Sequence, residues 1–111
     1  MRILDPGHRY ELDNLQSDTK TVLQFMKDPE LHGGDGADGP SCQEVLRAII
    51  DRVKSLDAER SWFGNEQIVH HARMMIALFE ARATVRRVEK EGVAIEHQPV
   101  DNDGHLLWAK P

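Results

Sequence analysis

The chain has 111 residues, 40% of them apolar and 30% charged, a balance that supports one compact domain and excludes a chain too polar to fold. Its formal net charge of −5 excludes a surface that coats DNA or RNA, because that requires a basic face overall. A small phosphate ligand is still admitted, since a few clustered arginines make a local positive site.

From the amino terminus, Ile3, Leu4, Tyr10 and Leu12 surround a Pro6-Gly7 turn. Alternation of His8, Tyr10 and Leu12 with Arg9 and Glu11 predicts a short strand. In Thr19–Lys27 the period of two places Thr21, Leu23 and Phe25 on one face, which predicts another strand, with a helix of similar length as the alternative. Residues 28–40 carry Pro29, Gly33, Gly34, Gly36, Gly39 and Pro40, a composition expected of a mobile loop, either a lid or a plain linker.

Ser41 opens the clearest helix. Ser41 and Glu44 have the spacing of a capping box, and Val45, Leu46, Ile49, Ile50, Val53 and Leu56 follow as one apolar stripe. After Ser61-Trp62-Phe63-Gly64, Asn65 is a suitable N-cap for a second helix striped by Ile68, Val69, Ala72, Met75, Ile76, Phe79 and Ala83, ending near Gly92. The short connection predicts an antiparallel helical hairpin over residues 41–91. In residues 92–111, Val93, Ile95 and His97 alternate before an Asp101–Gly104 turn, which predicts a β-hairpin that completes the amino-terminal sheet. The expected fold is α+β within a single domain: strands in 1–27, the loop, the helical hairpin and a carboxy-terminal β-hairpin.

The lone Cys42 allows no intrachain disulfide and fits a reducing compartment. No apolar run reaches the roughly 20 residues of a membrane span, and the first residues lack the apolar core of a signal peptide. A soluble, cytoplasmic protein with no membrane partner is expected.

Six histidines raise the question of a metal. His70 and His71 are adjacent on a helix and diverge by about 100°, and no pair has the i, i+4 spacing of zinc helices. Phosphate-loop, nucleophile-elbow and dinucleotide fingerprints are missing too, so neither cofactor nor catalytic group is expected. Cys42 reads as a packed small side chain. More suggestive is the basic group late in the second helix: Arg82 and Arg86 share a face, beside Arg87 and one turn before Lys90. Two guanidinium forks on one face can clamp phosphate oxygens; alternatively, they are cations favoured by the helix dipole. Trp62 and Phe63 can stack on a nucleobase or cap the hairpin core.

Residues Gly39–Glu59 (GPSCQEVLRAIIDRVKSLDAE) and Asn65–Ala83 (NEQIVHHARMMIALFEARA) resemble the helical hairpin of the phage type-one Thoeris anti-defence sponges, and YELDNLQSDTKTVLQFMK upstream is similar to the same family. The likeness covers about residues 10–87, with CQEVLRA the most specific part. It implies a homodimer or homohexamer that binds and sequesters glycocyclic ADP-ribose-type immune signals without degrading them, with cyclic di- or trinucleotides as further ligands at a separate site. It implies that Arg82 and Arg86 contact phosphates and that Asn65 contacts the ligand. Where the family has a stacking aromatic, this chain has Ser55, so Trp62 or Phe63 is the substitute. Lys27 and Arg47 are assigned to the second site. The competing expectation is an interaction protein whose helical hairpin, through Met74, Met75 and neighbouring apolar groups, recruits a host protein.

Overall fold

The computed structural model describes residues 1–29, 34 and 36–91, without the side chains of residues 90 and 91. The expected carboxy-terminal β-hairpin lies outside them. The fold is α+β. Strands β1 (Arg2–Asp5), β2 (Arg9–Asp13) and β3 (Lys20–Gln24) precede helices α1 (Cys42–Glu59) and α2 (Gly64–Glu91). These elements group into two compact units, Met1–Ser41 and Cys42–Pro111.

In the first unit the strands form an antiparallel sheet in the order β1-β2-β3. The strand that the alternation around Tyr10 predicts is β2; β1 is a further strand before it, joined to it where the Pro6-Gly7 pair makes a tight reversal. Pro6 supplies the fixed φ, Gly7 has φ of 81°, and the His8 amide donates to the Asp5 carbonyl at 3.0 Å. This is the chemistry of a type II turn. Pairing of Tyr10 with Leu23 and of Leu12 with Thr21 gathers Tyr10, Leu12 and Leu23 on one face. Tyr10 and Phe25 meet edge to face, their ring centroids 6.1 Å apart. The opposite ends are held by charge: Asp13 binds Lys20 and the Met1 ammonium, and Lys20 chiefly lowers the Asp13 pKa to about 2.

The glycine-rich segment departs from the expected mobile loop at its second half. Residues 36–40 fold back along the chain after β3. Lys27 and Ala37 exchange both backbone hydrogen bonds, at 2.8 and 3.0 Å, and the Met26 amide donates to the Pro40 carbonyl at 3.3 Å. Gly39 is required there, since a Cβ would collide with the Gln24 carbonyl. Composition alone points to a loop, but unpaired backbone groups beyond β3 take partners wherever the chain passes close by.

The second unit is the antiparallel hairpin. Helix α1 starts at Cys42, directly after the expected cap at Ser41. Helix α2 starts at Gly64, one residue before the expected cap, which places Asn65 inside its first turn. The core is Ile50, Val53, Val69, Ala72 and Ile76, with Leu46 packed against it and Ile76 at 0% exposure. The predicted stripes were wider than this. Ile49, Leu56, Ile68, Met75 and Ala83 are exposed, because two helices touch along a line and enclose only the residues nearest to it. Thr84 is buried, and its hydroxyl donates to the Glu80 carbonyl at 2.9 Å, the usual way for a helical threonine to satisfy its polar atom.

Candidate functional site

At the loop end of the hairpin, the organising group is Asp57. It lies in the last turn of α1, where its carboxylate accepts from the Trp62 amide at 3.1 Å and from Asn65 Nδ2 at 2.9 Å. These bonds, Asn65 first, hold its pKa below the ordinary carboxylate value. They also orient the Asn65 amide: its NH2 must face the carboxylate, so Oδ1 is the atom directed away. Asp57 was not among the residues singled out from the sequence. An acid near the carboxy end of a helix opposes the dipole, and that local conflict is the signal that could have marked it.

Around this group is a cleft of about 420 Å³ between the helices, lined by Val53, Lys54, Asp57, Asn65, Glu66, Val69 and Arg73. Two cations face two anions, so the cleft has no excess charge, and the valines give it an apolar floor. The seven-residue spacing of Glu66, Arg73, Glu80 and Arg87 places them along one flank of α2 with alternating charge.

The aromatic pair projects beside the cleft. The rings of Trp62 and Phe63 have centroids 5.5 Å apart and are tilted by 55°. Trp62 lies over Gly64, where a Cβ would collide with its ring, so the glycine lets the indole settle onto the backbone. Phe63 is 80% exposed. Of the two, it presents the open face a base could stack on.

Arg82 and Arg86 are elsewhere. They are exposed one turn apart on α2, and Arg82 lies 17 residues from Asn65, about 26 Å along a straight helix. Asn65 and the arginines therefore do not form one site within one chain. Among the described residues neither arginine forms an ion pair or a hydrogen bond. The helix runs to Glu91, and dipole effects fade within the last turn. Arg82 and Arg86 both stand before that turn, so the dipole does not account for them.

Lys27 and Arg47 belong to different units, and each is engaged within its own. Lys27 pairs with Asp5 at 3.5 Å. Arg47 bridges Glu44 at 3.2 Å and Glu80 at 3.1 Å, tying α1 to α2, while it lines a depression of about 200 Å³ with Ile50, Asp51 and Lys54. His70 and His71 meet edge to face at 5.6 Å. Among the described residues no three His, Cys, Asp or Glu side chains converge as metal ligands, and no helix is long and apolar enough to cross a membrane.

Comparison of the chain with models of protein families, with characterised proteins and with solved structures gave no match.

Proposed function

We propose that the protein is a phage anti-defence sponge, which captures a cyclic ADP-ribose-type signal such as glycocyclic ADP-ribose and holds it intact in the cytoplasm of the infected cell. The observation that carries this reading is the Arg82–Arg86 pair. In a chain of net charge −5, these two exposed guanidiniums share a helix face with no carboxylate paired to them among the described residues. Such a pair offers forked donors to the oxygens of a pyrophosphate. Capture needs placed cations and a stacking surface, and Phe63 supplies the latter. It needs no acid, base or metal.

The distance along α2 adds a condition. A small ring cannot touch Asn65 and the arginines of one chain, so the two share a ligand only across copies. The neutral cleft at Asn65 suits a base or ribose, and the arginines of the partner subunit suit the phosphates. Self-association is thus part of the proposal. Lys27 and Arg47 are both charge-compensated, so the reading does not extend to a cyclic-oligonucleotide site built on them.

The test is capture followed by release. The protein is mixed with a cyclic ADP-ribose isomer and filtered, and the retained ligand is freed by denaturation and identified by chromatography. The wild type should deplete the filtrate and return the same molecule. Arg82→Ala with Arg86→Ala should weaken capture by at least about a hundredfold, as expected for two lost charge-assisted contacts, with the circular dichroism unchanged. A returned product of altered mass identifies an enzyme instead. An undepleted wild-type filtrate favours the interaction-protein reading.

A further inference from the structure

The cleft between the helices carries a one-sided set of fixed polar atoms. Both bonds to Asp57, from the Trp62 amide and from Asn65 Nδ2, fall on a single oxygen, Oδ1. Among the described residues no hydrogen bond goes to Asp57 Oδ2. Asn65 has its NH2 committed to the carboxylate, so its own Oδ1 is the amide atom still to be satisfied. Both residues line the cleft. They therefore offer two oxygens that accept and cannot donate, and the bonds between the two side chains keep either from turning over. Lys54 and Glu66 on the same wall are exposed, long side chains, which adjust to what is bound rather than select it.

We infer that Asp57 sets the cleft's choice of base: by holding the Asn65 amide with its oxygen outward, it selects a base with an exocyclic amino group over one with an oxygen there. The inference rests on the capture reading above and says which part of the signal the cleft reads. A ribose hydroxyl both donates and accepts, so an acceptor does not discriminate among hydroxyls. A base edge cannot reverse its polarity in that way. An exocyclic amino group brings two hydrogens, one for each oxygen. The corresponding edge of hypoxanthine brings one N–H, and its carbonyl oxygen then faces an acceptor, so both lose water without gaining a partner. Val53 and Val69, 8% and 9% exposed, give the ring an apolar floor. Without Asp57 the Asn65 amide is free to turn, and it presents NH2 or oxygen to either base with equal ease.

Equilibrium dialysis of the full chain tests this, with two probes: glycocyclic ADP-ribose and its hypoxanthine counterpart, in which an oxygen replaces the exocyclic amino group. The wild type should hold the amino ligand at least about tenfold more tightly, the scale of one polar group left without a partner. In Asp57→Ala the preference should fall to within about threefold. A carboxylate that merely braced the loop would weaken both ligands alike and leave their ratio untouched, so the ratio separates selection from support. Arg82→Ala with Arg86→Ala should weaken both ligands and keep the ratio, because those groups serve the phosphates. Equal affinity of the wild type for the two ligands, or an unchanged ratio in Asp57→Ala, would overturn the inference. The wild-type comparison decides even where Asp57→Ala fails to fold. Retention of both ligands without preference removes the selectivity alone, whereas retention of neither removes the capture reading and the selectivity with it.

Discussion

Asp57 shows how one carboxylate can decide the geometry of a loop. Its bonds to Asn65 Nδ2 and the Trp62 amide are stronger to the ionised carboxylate than to the neutral acid, and so they lower its pKa. A depressed acid contributes stability that is complete above its unfolded pKa and is lost as the pH falls through the folded value. The loop is therefore expected to keep its form through mildly acidic solution and to loosen as the pH falls through a folded-state pKa lower than that of a free aspartate. Fluorescence of Trp62, measured in a Trp108→Phe background, should report that transition. In an Asp57→Asn variant the acid transition should be missing. A Trp62 signal that changes near neutral pH would show that another group controls the loop.

At the scale of elements, both the helices and the strands were readable from period and punctuation, but the widths of their buried faces were not. A stripe of six or seven apolar residues predicted more core than a two-helix contact can enclose. The consequence is measurable. Ile76→Ala should destabilise the hairpin by about 2–5 kcal/mol, the usual range for a buried branched side chain. Met75→Ala, one position away and about half exposed, should cost less than about 1 kcal/mol in the isolated chain. Denaturant unfolding at a concentration that suppresses association compares the two. Equal losses would mean that Met75 is enclosed by something other than α1. The interhelical bond of Arg47 to Glu80 belongs to this scale as well. The sequence shows the two charges, but only packing brings residues 33 positions apart to 3.1 Å.

For the whole molecule, the separation of Asn65 from the arginine pair turns an expected single site into two half-sites. If different copies complete each other, two defective variants should rescue one another. Asn65→Ala mixed in equal amount with the double arginine variant, after subunit exchange, should recover roughly a quarter of the wild-type sites, the share set by random pairing into two-fold dimers. Each variant alone should bind little. Counting bound ligand by equilibrium dialysis checks this, and no recovery would place both groups on separate ligands.

By itself the sequence determined the α+β class, the order of strands and helices, the positions of the turn at Pro6-Gly7 and the break at Trp62–Gly64, and the arginine pair as the chain's conspicuous cationic feature. These depend on local spacing, which a helix or strand converts directly into a face. Tertiary structure alone decided that Asp57 organises the loop, that residues 36–40 pair with Met26 and Lys27, that Arg47 is spent on two glutamates, and that one apolar face of α2 is used while the opposite one stays bare. Each of these concerns which groups meet across the chain, and distance along a sequence does not encode distance in space until the helices pack.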